Sequence, residues 1–173
     1  MSKKAQRCGF VSVVGLPNAG KSTLVNTLVG NKVSIVSRKV HTTRSRILGI
    51  ALHENSQIIL IDTPGIFKPR KTLEKAMVGA AFSSLEEADI VIHIVDASVK
   101  NPAENNIELQ KALKDRNAQK TILVLNKIDK IEKTKLLALV QKINETFPYQ
   151  ATFMVSALNN NGMEDLISYL ADI

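Results

Sequence analysis

Residues 15–23 read GLPNAGKST, two glycines followed by a lysine and two hydroxyls. Gly15 to Ser22 fits G-x-x-x-x-G-K-S, in which the glycines let backbone N–H groups turn inward on phosphate oxygens and the positive end of the following helix assists. Lys21 would reach the β- and γ-phosphates and Ser22 would ligate Mg²⁺, with Gly15, Asn18, Ala19, Gly20 and Thr23 completing the cradle. The motif alone predicts a nucleoside triphosphate and leaves the base open.

The base is specified by Asn126-Lys127-Ile128-Asp129. The Asp129 carboxylate can accept from guanine N1–H and the 2-amino group together, whereas adenine has no 2-amino group and presents a lone pair at N1. Sites built on such bonds discriminate by about 10⁴–10⁵. Lys127 would lay its aliphatic stem on the base, and Asn126 would tie this loop to the phosphate loop. Thirty residues beyond Asn126, Ser156-Ala157-Leu158 would offer a backbone N–H to guanine O6.

Asp62-Thr63-Pro64-Gly65 supplies the remaining phosphate contacts. Asp62 would hold Mg²⁺ through a water, and the Gly65 N–H would bond the γ-phosphate, so that losing that phosphate releases the segment behind it. A threonine hydroxyl of His41-Thr42-Thr43-Arg44 would complete the Mg²⁺ shell; Thr43 is the first choice and Thr42 the second. The residue after Gly65 is Ile66, at a place where a glutamine could orient an attacking water. An apolar side chain cannot do this, so that contribution must come from elsewhere.

These residues must be positioned by an α/β framework. Short Val/Ile-rich runs alternate with segments of helical period, the pattern of βα units on a mostly parallel sheet with helices on both faces. Six strands are expected: Gly9–Val14, Arg46–Leu52, Gln57–Ile61, Ile90–Val95, Thr121–Leu125 and Thr152–Val155. The turn His53-Glu54-Asn55-Ser56 is too short for a crossover, so the second and third strands should form one antiparallel hairpin. Helices are expected at Lys21–Val29, Thr72–Leu85, Ala103–Asp115, Lys133–Thr146 and Met163–Ala171. In the fourth, Leu136, Leu137, Val140 and Ile143 should face the sheet; in the last, Met163, Leu166, Ile167 and Leu170.

The 173 residues amount to one domain, and no apolar run reaches the roughly 18 residues of a membrane span. A single cysteine, Cys8, fits a reducing, cytoplasmic setting and reads as a small residue buried at the entry to the first strand. His93, inside VIHIV, reads as a satisfied core histidine and His53 as a turn residue. Net charge is +7, and residues 31–75 hold nine Lys or Arg against three Asp or Glu. Because that excess coincides with both predicted nucleotide-sensing segments, an RNA-facing surface is expected there.

Taken in order, GLPNAGKST, KVSIVSRKVHTTR, DTPGIF, NKID and SAL resemble the translation-factor-related GTPases, and SRKVHTTR points to their Era-like branch. The resemblance covers essentially the whole chain. It implies a P-loop, Ras-like G domain, a GTPase cycling between GTP and GDP with Mg²⁺, and a role in small ribosomal subunit assembly. It also implies a KH domain, absent from these 173 residues, that binds the 3′ end of 16S rRNA in the 30S subunit. A monomer, with peripheral membrane association in the full-length protein, is the accompanying expectation. Related GTPases with P-N-x-G-K-S are similar in a further respect, since the Asn18 amide could hold K⁺ between the β- and γ-phosphates in place of an arginine finger. The competing reading of Asn18 is an ordinary turn residue. A guanine-nucleotide scaffold with negligible turnover, or a fragment of a tandem or tRNA-modifying GTPase, are the alternatives for the whole.

Overall fold

In a computed structural model of the chain, the described residues are 6–30, 46–62, 88–115 and 120–173. They form strands β1 (Arg7–Gly15), β2 (Arg46–His53), β3 (Ser56–Asp62), β4 (Ile90–Asp96), β5 (Thr121–Asn126) and β6 (Thr152–Met154). Helices α1 (Lys21–Val29), α2 (Pro102–Asp115), α3 (Lys133–Asn144) and α4 (Met163–Asp172) connect or follow them. The expected helix at 72–85 lies outside the described residues.

The six strands make one sheet in the order β2-β3-β1-β4-β5-β6. Only β2 and β3 run antiparallel, joined through His53↔Ser56 with Glu54 at φ 48° in the turn; the other four pairings are parallel. Strands β4 and β5 are buried almost end to end, as parallel strands covered on both faces must be. On one face, Leu24 and Leu28 of α1 and Met163, Leu166 and Leu170 of α4 pack on Val11, Val13, Leu60 and Ile92. On the other, Leu109 and Leu113 of α2 meet Val14 and Val91, while Leu136 and Ile143 of α3 meet Leu123 and Leu125. Each such buried aliphatic side chain is worth about 1.5–3 kcal/mol relative to exposure.

Two expectations are corrected. Leu137 is 72% exposed, because the buried stripe of α3 runs Leu136, Val140, Ile143 at helical spacing and Leu137 falls to its outer side. Cys8 is exposed rather than buried. The first four residues of β1 pair with β3 alone, since the β4 pairing starts only at Val11, so that end of the strand has a thinner cover.

Between α2 and the sheet lies a buried polar chain. Gln110 Nε2 donates to Tyr149 Oη (3.1 Å) and to the Ile143 carbonyl (2.8 Å). His93 Nδ1 lies 2.5 Å from Tyr149 Oη and Nε2 lies 3.0 Å from Asn106 Oδ1. Since the Asn106 oxygen only accepts, His93 carries its proton on Nε2 and accepts the Tyr149 O–H at Nδ1. His93 is thus the satisfied core histidine expected. Burial pushes its pKa down to about 4, against a smaller upward pull from Asn106.

That shift has a signed consequence for stability. Between about pH 6.5 and about 4 the unfolded chain binds a proton at His93 that the folded chain refuses, so stability falls as pH falls through that window. At 1.36 kcal/mol per pKa unit, the loss from this group approaches roughly 3 kcal/mol. Urea unfolding at pH 7.5 and at pH 4.5 should show that His93→Gln costs about 1–3 kcal/mol at the higher pH but has a flatter acid limb than wild type. Identical acid limbs would remove His93 from the account.

Candidate functional site

The parallel strands β1, β3, β4 and β5 end on one edge of the sheet, with Gly15 paired to Ile94 and Asp96 to Asn126. Successive connections leave central β1 and β4 in opposite directions along the sheet, which opens the crevice where such sheets bind ligands.

The loop after β1 is shaped by its glycines. A Cβ on Gly15 would lie 2.5 Å from the Ile94 carbonyl oxygen, and Gly20 sits at φ 99° with the Asn126 side-chain amide where its Cβ would be. Because Gly20 is also the cap of α1 and carries no side chain, the leading amides of α1 are left facing the loop. Lys21 Nζ donates to the Gly15 and Leu16 carbonyls, both at 2.9 Å, so the ammonium is strung across the loop. Ser22 is exposed at the start of α1, and Thr23 is half-buried. Asn18 takes the left-handed conformation at φ 61°, which gives the turn its own reason for asparagine. Its side chain is exposed and makes no hydrogen bond among the described residues.

Asn126, 2% exposed, joins this loop to two others. Its Nδ2 donates to the Ala19 carbonyl (3.0 Å), and its Oδ1 accepts the Ala157 N–H (3.0 Å). Lys127, at φ 63°, sends Nζ to the Asn18 carbonyl (2.7 Å) and to Asp96 Oδ2 (2.5 Å). Asp129, itself exposed, accepts the Ser156 hydroxyl at Oδ1 (2.6 Å), which fixes one of its two carboxylate oxygens. Residues 156–161 close on themselves through reciprocal Ser156–Asn161 backbone bonds. Ala157 is buried and Leu158 is 77% exposed.

Gly15, Asn18, Ala19, Gly20, Lys21, Asn126, Lys127, Asp129, Ser156, Ala157 and Leu158 therefore share one end of the sheet. Because the Ala157 amide is committed to Asn126, Leu158 carries the next amide in that loop. Thr43 and Gly65 lie outside the described residues, as does the side chain of Asp62, the last residue of β3. Among the described residues no group of three or more His, Cys, Asp or Glu is placed to hold a metal ion, and no helix is long and apolar enough to cross a membrane.

Two participants were not singled out from sequence. Asp96 closes β4 beside Asn126, and a carboxylate at a strand tip adjacent to the N-K-x-D strand was the available signal. Burial pushes its carboxyl pKa upward, but the hydrogen bonds from Lys127 and Ser98 outweigh burial and hold it below the usual range. Thr27 of α1 places its hydroxyl 2.9 Å from both the Thr23 and Ala157 carbonyls, linking α1 to the Ser156 loop. A mid-helix threonine gives no sequence sign of this.

Residues 10–127 match the family model described as 50S ribosome-binding GTPase. The chain belongs to that GTPase family. It is 50% identical over 169 residues to GTPase Era of Bradyrhizobium diazoefficiens and 51% identical over 166 residues to GTPase Era of Brucella suis, covering 98% and 96% of this chain. It spans about half the length of these relatives, 54% and 53%. Two solved Era structures, each 39% identical, superpose with TM-scores of 0.77 and 0.76 over 96% and 97% of this chain and 57% of theirs. One is a variant from Aquifex aeolicus bound to GDP.AlF4⁻, and the other is a complex with MgGDPNP and nucleotides 1506–1542 of 16S ribosomal RNA. The Ras-like P-loop fold is thus shared with a family of guanine-nucleotide enzymes.

Asn126→Ala should leave the Ala19 carbonyl and the Ala157 N–H without their buried partner. Chemical denaturation of the nucleotide-free protein should register a loss of roughly 2–6 kcal/mol, from two groups at about 1–3 each. A loss below about 0.5 kcal/mol would mean water replaces the amide at no cost and that Asn126 does not hold the loops.

Proposed function

We propose that the chain binds and hydrolyses GTP as a conformational switch acting on the small ribosomal subunit. The observation that carries this reading is the union of a phosphate-type glycine loop and an N-K-x-D loop through the single side chain of Asn126. A glycine loop alone would accept ATP; the second loop adds a carboxylate, steadied by the Ser156 hydroxyl, that can meet a base edge.

On this reading, Gly15, Asn18, Ala19, Gly20, Lys21, Ser22 and Thr23 take the triphosphate. Asp129 accepts from guanine N1–H and the 2-amino group, Lys127 lines the base with its stem, and O6 is met by the Leu158 amide. Lys21 stabilises charge developing on the phosphates, where a preorganised ammonium gains most in a site shielded from water. Gly15 and Gly20, where a Cβ would strike Ile94 or Asn126, keep the loop free of side chains at those two positions, so that its backbone could follow a phosphate chain closely. Mg²⁺, held by Ser22 with Thr43 and Asp62, would neutralise oxygen charge as the bond to the γ-phosphate breaks. Thr43 and the Gly65 N–H would sense that phosphate.

K⁺ is proposed as a second cation, with the Asn18 amide as its ligand. Support comes from the exposed Asn18 side chain, uncommitted among the described residues, and from Ile66 at the position where a glutamine would orient water. The small subunit is preferred as the target because the Era relatives are 39–51% identical and one was solved with 16S RNA. Most of the RNA contact is proposed to lie in a KH-type domain beyond these residues, with the basic 31–75 stretch assisting. The setting proposed is cytoplasmic and the state monomeric.

Titration with fluorescent guanosine and adenosine nucleotides in Mg²⁺ should show a guanine preference of at least about 10³, a floor below the roughly 10⁴–10⁵ that hydrogen-bonding sites reach. Asp129→Asn should lose GTP and gain xanthosine triphosphate, whose 2-carbonyl an amide N–H can meet. Equal affinity for GTP and ATP would overturn the reading, and binding without single-turnover hydrolysis would reduce it to a scaffold. Turnover should also be about tenfold or more faster in K⁺ than in Na⁺ at equal ionic strength, approaching part of what an arginine finger supplies. Equal rates would return Asn18 to a turn role.

A further inference from the structure

We propose that Asp96, locked by Ser98, is a positioning residue that holds the Lys127 stem as a ready-made wall of the base pocket and so sets how long a guanine nucleotide stays bound. The inference rests on the nucleotide reading above.

Three donors fix the Asp96 carboxylate. Oδ1 accepts the Ser98 backbone N–H (2.8 Å) and the Ser98 hydroxyl (2.6 Å), and Oδ2 accepts Lys127 Nζ (2.5 Å). The strand beneath it is fixed as well, since Asp96 pairs with Asn126 and the Ala97 N–H donates to the Asn126 carbonyl at 2.9 Å. The carboxylate therefore cannot swing away from the ammonium without giving up the turn that follows β4. Side-chain exposures of 11% for Asp96 and 27% for Lys127 place the pair where water competes weakly.

Lys127 is held at both ends. Its backbone, at φ 63°, leaves the tip of β5, and its ammonium is shared between Asp96 and the Asn18 carbonyl. A lysine has several side-chain torsions to immobilise, and here they are fixed before any ligand arrives, so binding need not supply that ordering. Because one ammonium touches both the phosphate loop and the β4 tip, Asp96 also restrains Asn18. None of these contacts lies on a γ-phosphate, so the effect should be alike for di- and triphosphates.

Asp96→Asn is the informative variant, since its amide oxygen can still accept from Ser98 while the NH₂ group cannot accept from Lys127. Dissociation of fluorescent GDP and of a non-hydrolysable GTP analogue should both speed up roughly tenfold to hundredfold, the range expected for a lost charge-assisted hydrogen bond. Ser98→Ala should show a smaller change of the same kind, about two- to fivefold, and serves if Asp96→Asn does not fold. In a Lys127→Ala background, Asp96→Asn should alter dissociation by less than about twofold, which a purely structural role in the turn would not produce. Wild-type rates in Asp96→Asn, or the same factor in both backgrounds, would overturn the inference alone. A wild-type chain that retains no GDP would overturn the functional reading with it.

Discussion

Asn126 is the group on which the arrangement of the site depends, and only a side-chain amide can do what it does. It must donate to the Ala19 carbonyl and accept from the Ala157 amide at the same time, in a space closed to water. Aspartate of the same shape would set a carboxylate oxygen against the Ala19 carbonyl, and leucine would leave both backbone groups unpaired. The same amide occupies the space of a Gly20 Cβ, so glycine at that position follows from packing as much as from the need for φ 99°. One buried side chain thus explains why residues over a hundred positions apart in the chain have the identities they do.

Around that point the molecule separates its two kinds of order. The faces of the sheet are held by aliphatic burial that is indifferent to direction, while the strand ends are held by bonds that are not. The C-terminal ends of β1, β4 and β5 carry Gly15, Asp96 and Asn126, and each loop leaving them is tied to a neighbouring loop as well as to its own strand. The His93, Tyr149, Gln110 and Asn106 chain does the equivalent on the α2 face, joining β4, α2 and the connection into β6 through bonds whose direction is fixed by one tautomer. Polar groups are buried here where they specify register, and nearly all of them find partners; Ser12 Oγ is the exception among the described side chains.

How much of this could be read from the sequence follows from how local each signal is. Strand runs such as TILVLN and the glycine-bounded α1 are written in adjacent residues, so their existence and order were legible, with the ends misjudged by one or two positions because strands continue as long as a neighbour pairs with them. The G-x-x-x-x-G-K-S and N-K-x-D motifs were legible for the same reason. Asp96 and Thr27 were not, because their roles are set by the register of β4 on β5 and by the packing of α1 against residue 157, which no short window contains. The solvent-facing Leu137 shows the limit of periodicity, since leucines at 136 and 137 are 100° apart on a helix and only one can lie at the centre of its buried stripe. Cys8 shows another, for a strand start is buried only where both neighbouring strands have already begun.

The ties among the three loops also assign work by exclusion. Asn126, Lys127, Asp96 and Ser156 bond to one another's loops or to backbone already in place, and Lys21 is held over the loop by the Gly15 and Leu16 carbonyls. On the proposed reading, the contacts of Asn126, Lys127, Asp96 and Ser156 raise affinity for any guanine nucleotide and cannot by themselves favour the triphosphate, since a ligand that binds two states equally shifts nothing between them. Discrimination between GTP and GDP then falls to groups that meet the γ-phosphate and move when it leaves. Thr43 and Gly65 are the residues whose positions in the sequence suit that task. On that reading, a base-and-cradle half distinct from the sensing residues would let the protein hold its nucleotide through hydrolysis while the outcome is expressed in other segments.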